Sequence, residues 1–147
     1  RDAVLKQFVE EQHAIHDAEA KEAARKFWVK LGYDCIENLD EFGVDLLVDG
    51  KGREFGCEVE TKTGWHGPEL NYPTLRVAFR KQKFTDDRVT FFVLNSGRTH
   101  AAVVSLQKLL KSPAVQVKNK MVPMGDYFYE IALKDVEFVN LLTRTNY

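Results

Sequence analysis

Asp45, Glu58, Glu60 and Lys62 are the residues of this sequence whose types and spacing are best suited to holding a cation and acting beside it. The stretch Glu54-Phe55-Gly56-Cys57-Glu58-Val59-Glu60-Thr61-Lys62 reads as a strand, in which alternate side chains point to opposite faces. Phe55, Cys57, Val59 and Thr61 then share an ordinary core face, and Glu54, Gly56, Glu58, Glu60 and Lys62 share the other. That second face carries two carboxylates and an ammonium in a row, about 7 Å apart at the strand repeat. Burying unpaired carboxylates costs several kcal/mol, so the row needs either a cation or open water.

The plainer alternative is a solvated sheet face, the usual meaning of charges that alternate along a strand. Two neighbours argue for a site instead. Asp45 stands directly before Leu46-Leu47-Val48, a continuous apolar run of buried-strand type, and could add a third carboxylate at the same point. Gly43, just upstream, suits a tight turn into that strand.

In these residues the chain resembles the PD-(D/E)XK nuclease superfamily, which includes restriction endonucleases and archaeal Holliday junction resolvases. The motif of that family is an Asp at the start of one strand and Asp/Glu-x-Lys on the next, here Asp45, Glu60 and Lys62 with Thr61 as x. The order of elements over roughly the first two-thirds of the chain agrees with it. Glu58 makes the strand Glu-x-Glu-x-Lys, so a second frame exists, with Glu58 as the acid and Glu60 where lysine usually stands. The Glu60–Lys62 frame is preferred because it alone supplies the lysine.

The elements that must position these residues fit one domain of 147 residues, 44% hydrophobic and 29% charged, a balance ordinary for a globular protein. No apolar run approaches membrane length and the start carries no signal-peptide pattern, although Arg1 as first residue suits a chain whose natural beginning is missing. Cys35 and Cys57 fall inside expected strands with no C-x-x-C pair, as free buried thiols of a reducing compartment such as the cytoplasm would. A net charge of −1 argues weakly against a polyanion binder, but phosphate binding depends on where the charge lies.

Residues 3–31 read as a helix, with an interruption near His13 left open. Ala20, Ala23, Ala24, Phe27 and Leu31 form its apolar face, and Gly32 caps it. His13, His16 and Asp17 project near that face, Glu19 lies at its edge, and Glu22 points nearly opposite. In the resembled family a glutamate of this helix often reaches the metal; Glu19 fits the face better than Glu22, and a plain solvated carboxylate is the alternative for both. Two histidines at i, i+3 without a third ligand are weak metal evidence, so His13 and His16 are taken as helix residues.

Strands are expected over 33–37, 44–48 and 53–62, with Asp49-Gly50 turning the hairpin. Trp65 then either packs under its loop or stacks on a base. A short strand over 75–79 leads to the densest positive stretch, Arg80-Lys81-Gln82-Lys83 with Arg76 and Arg88 on either side. This is either solvated surface or a phosphate contact. Residues 89–95 should be a central strand and 101–104 its partner, with Ser105 capping a short helix through Lys111. Short strand-like pieces follow at 115–117, 127–131 and 136–142, and Leu141 and Leu142 are candidates to dock the tail on the core.

The resemblance implies an α/β restriction endonuclease-like core, a helix followed by a mixed central sheet flanked by helices. It also implies a Mg²⁺-dependent deoxyribonuclease, endonuclease rather than exonuclease, in which Mn²⁺ can substitute. Asp45, Glu60 and the carbonyl of Thr61 would hold the metal, Lys62 would serve the reaction, and Glu58 and Glu19 would support it. Arg76, Arg80, Lys81 and Lys83 would bind DNA, and a homodimer is the arrangement that paired cuts usually need. The rivals are a non-catalytic nucleic-acid-binding or protein-interaction domain on the same fold, and an unrelated α/β domain with a solvated charged strand.

Overall fold

A computed structural model describes residues 2–40, 42–78, 88–117 and 126–142, with side chains from residue 15 onward. The chain opens with helix α1 (Asp2–Lys30), which runs without a break at His13. Its inner face buries Ala20, Ala24, Phe27 and Leu31 as the spacing requires, together with Trp28. Each large side chain so buried contributes about 1.5–3 kcal/mol. Gly32, at φ +97°, lets the chain turn back toward the sheet.

Strands β1 (Asp34–Glu37), β2 (Leu46–Gly50) and β3 (Arg53–Thr61) then form an antiparallel meander. After β4 (Thr74–Ala78), β5 (Val89–Leu94) lies parallel to β3, and β6 (His100–Ser105) pairs antiparallel with β5. Helix α2 (Leu106–Leu110) follows, with Ser105 as its N-cap accepting from the Lys108 amide. The last strands are β7 (Ala114–Val117), β8 (Asp126–Ala132) and β9 (Glu137–Asn140). The result is a six-stranded mixed sheet in the order β1-β2-β3-β5-β6-β9, and a second, antiparallel sheet in the order β4-β8-β7.

The period of two explains the layers. Phe55, Cys57, Val59, Phe92 and Leu94 face α1, while Phe91, Val93, Ala102 and Val104 face the second sheet through Leu75, Val77, Tyr129 and Ile131. The expected mixed sheet is present, but helices on both faces are not. Among the described residues one face carries α1, and the other is covered by β4, β8 and β7 with one turn of helix in α2. The reason is non-local: β4 pairs with β8, more than fifty positions further on, and supplies a sheet where a helix was expected.

Both cysteines are free and buried, as expected. Burial pushes the Cys35 thiol up to about 11, and it raises Cys57 as well, where the Trp28 indole N–H donates to Sγ at 3.4 Å. No helix among the described residues is long and apolar enough to cross a membrane. Leu141 packs on the α1-side core, whereas Leu142 is exposed.

Candidate functional site at the β2–β3 junction

Asp45 is held in place by the loop before it. The Asn38 side chain donates to the Val44 carbonyl at 2.9 Å, and the Asn38 amide donates to the Asp45 carbonyl at 3.0 Å. Asp45 Oδ2 then accepts from the Val59 amide at 2.8 Å. With the Val44 carbonyl and the Val59 amide both taken by side chains, the β2–β3 ladder stops at Leu46–Cys57. One step beyond that pair, Asp45 stands across from Glu58.

Glu58 is only 6% exposed, which removes the solvated-face alternative for this position. Glu60 is half-buried, with Oε2 shielded from solvent, and Lys62 is half-buried beside it. Burial lowers the Lys62 pKa, the Glu60 charge opposes that, and Arg76 adds to it. The Lys62 ammonium also lies over the ring of Tyr72, 5.4 Å from its centroid. Thr61 closes β3, and the Lys62 amide continues the pairing to the Leu94 carbonyl at 2.8 Å.

Sequence reasoning missed the cation beside Asp45. Lys21 of α1 sets Nζ 3.1 Å from Asp17, 3.6 Å from Asp45 and 3.8 Å from Glu37. Burial works to lower the Lys21 pKa, but the Asp17 hydrogen bond and the charges of Asp17, Asp45 and Glu37 outweigh it and the net direction is upward. The charges acting on Lys62 are those of Glu60 and Arg76, so the motif divides between two charge groups. A signal for Lys21 did exist. It follows Asp17 by one helical turn, on the flank of the apolar face.

Other expected residues are engaged elsewhere. Glu19 pairs with Arg98 at 2.7 Å and Glu22 with Arg25 at 2.7 Å, so both are engaged away from Asp45, beside which Lys21 lies instead. Arg76 pairs with Glu130 at 2.9 Å across β4–β8. Arg80, Lys81 and Lys83 lie outside the described residues. Trp65 is 1% exposed and packs edge-on against Phe138, so it stacks on no base in this conformation. His16 is exposed on the helix surface.

For a hard divalent ion the donor chemistry fits: carboxylate oxygens on adjoining strand ends, with the Thr61 carbonyl next in line. The gathering is incomplete, since among the described residues no three of His, Cys, Asp or Glu come together as a metal-holding group. No protein-family model, curated protein or solved structure matches this chain.

Proposed function

We propose that the chain is a divalent-metal-dependent nuclease of the PD-(D/E)XK type, acting on DNA phosphodiesters at the β2–β3 junction. The observation that carries this reading is the Asp45–Val59 hydrogen bond of 2.8 Å. It ties the carboxylate that opens β2 to the backbone between Glu58 and Glu60, on the strand that also carries Lys62. The antiparallel β1-β2-β3 meander and the parallel β3–β5 pairing support it too.

Asp45, Glu60 and the Thr61 carbonyl would hold Mg²⁺ or Mn²⁺, which when bound supplies Lewis-acid polarisation of the phosphate and an acidified water. The protein's own share lies in placement and charge. The Val59 amide fixes the direction of the Asp45 carboxylate. Lys62, half-buried beside the Tyr72 ring, would offer a positive charge where negative charge grows in the transition state. Glu58, buried on the same strand, would add a further carboxyl group beside the metal ligands. The test is a cleavage assay over duplex, flap, junction and free-end DNA with Mg²⁺, Mn²⁺ or EDTA. Cleavage in either metal, none in EDTA and a rate lower by about 10²–10³-fold in Lys62→Ala is expected. Absence of cleavage on every substrate overturns the reading.

A second reading, a domain of the same fold that binds without cutting, is favoured by one observation. The ammonium of Lys21 already supplies a counter-charge to Asp45. DNA bound equally well in EDTA and in Mg²⁺, and never cut, is its signature.

A further inference from the structure

We propose that the cleft at the far end of β3 from Lys62 binds a nucleotide, its phosphates on Arg53, Lys108 and Lys134 and its base against Leu31 and Phe55. The cleft measures about 700 Å³, room enough for a ligand of that size, and it runs past the end of the six-stranded sheet from α1 to α2. Four cations from four separate elements meet there. They are Lys51 in the β2–β3 turn, Arg53 at the start of β3, Lys108 on α2 and Lys134 in the 3₁₀ turn Leu133–Asp135. The chain as a whole carries a net charge of −1, so this is a local concentration of positive charge. Among the described residues none of the four is in an ion pair, whereas Arg25, Arg76 and Arg98 are each held by a carboxylate. Their N–H donors are open to a ligand. Lys51 also stands at φ +53°, a conformation that glycine or asparagine takes more readily.

The lining decides the class of ligand. A bare phosphate would need cations alone, yet Asp135 and Glu137 share the cleft, where they can accept hydrogen bonds from ribose hydroxyls or an amino group. A fatty acid would need a continuous apolar slot, and the hydroxyls of Thr90 and Ser105 interrupt this one. Leu31, Phe55 and Val136 supply the apolar wall that a base requires. The same geometry orients the ligand. The carboxyl end of α1 lies on the side of Leu31, with the Trp28 and Val29 carbonyls taken by the Tyr33 and Gly32 amides at 3.1 and 3.0 Å. That negative end of the helix disfavours an anion beside it. The base therefore lies toward α1 and the phosphates toward α2, whose Leu106 and Leu109 pack on the other face of the sheet. The cleft shares no lining residue with Asp45, Glu60 or Lys62, so the site does not rest on the nuclease reading.

The test is run in EDTA, so that no metal at the β2–β3 junction contributes. Binding of ATP and of inorganic pyrophosphate is measured by calorimetry, and binding of a short fluorescein-labelled single strand by anisotropy. ATP should bind more tightly than pyrophosphate, and Arg53→Ser combined with Lys108→Ser should weaken it by about tenfold or more. On adding ATP, ¹⁵N amide shifts should move at residues 51–55, 104–108 and 134–137 rather than around Asp45. The comparison with the strand separates the two sources of this chemistry. A strand that displaces ATP and binds more tightly assigns the cleft to nucleic acid; one that binds no more tightly assigns it to a free nucleotide. Three results overturn the proposal: no binding of ATP or strand at millimolar concentration, pyrophosphate bound as tightly as ATP, or affinity untouched in a double variant that melts as the wild type does.

Discussion

Lys21 on α1 sets its ammonium 3.6 Å from a carboxylate oxygen of Asp45 on the first residue before β2, so the helix and the sheet are joined by charge at the candidate site. The same ammonium also reaches Asp17 and Glu37. A cation is thus already in place where a divalent ion would have to settle.

Lys21→Met keeps the apolar stem and removes the charge. The three carboxylates then repel one another, and thermal unfolding of the metal-free protein should show a loss on the order of 1 kcal/mol. Millimolar Mg²⁺ should raise the melting temperature of Lys21→Met by more than that of the wild type, through linkage, and Asp45→Ala should abolish the difference. The pH dependence carries a sign. A lysine whose folded pKa is raised gives stability that is complete below the unfolded value and is lost as pH climbs through the folded one. The wild type should therefore lose this contribution above about pH 10.4, and Lys21→Met should not.

The choice between the two motif frames is open to three substitutions. With Glu60 and Lys62 as the pair, Lys62→Ala should reduce kcat by about 10²–10³-fold and Glu60→Gln should abolish cleavage. Glu58→Gln should leave part of the activity. Single-turnover cleavage rates distinguish this pattern from its reverse, which would assign the acid to Glu58.

Lys62 also predicts an alkaline limb. Its pKa is lowered by burial, so the ammonium that the proposed reaction would use is lost below the pH at which an exposed lysine would lose it. The pH–rate profile of cleavage should fall on its alkaline side at that lowered value. Lys62→Arg, slower but never deprotonated, should remove the limb.

The contact of Gly56 with Val44 predicts a coupled effect on stability. A Cβ at position 56 would stand 2.7 Å from Val44 Cγ2 and 3.0 Å from Cγ1. Gly56→Ala should destabilise by about 1–3 kcal/mol. Val44→Ala should offset part of that in the double variant, as read from urea unfolding of all four proteins in the cycle.

Much of this architecture is written in local pattern. The α1 face shows in the spacing of Ala20, Ala24, Phe27 and Leu31. The α1-facing side of β3 shows in Phe55, Cys57 and Val59, and the cap of α2 shows in Ser105. What local pattern does not carry is which distant surface covers a given face. Glu58 alternates like a solvated residue, yet it is only 6% exposed. Lys21 meets Glu37 and Asp45 only because α1 lies across β1 and β2. Glu19 fitted the helix face by angle, but Arg98 from the β5–β6 turn claims it.

The parallel pairing of β3 with β5 has a consequence for how the chain comes to be folded. The α1–β1–β2–β3 part is local, but β3 waits for a neighbour that is synthesised only after residues 62–88. During translation an interior strand therefore presents a bare edge for several seconds. Such an edge invites pairing with another nascent chain. Glu54, Glu58 and Glu60 would make that strand a poor partner for a copy of itself, because like charges set side by side in such a pairing repel.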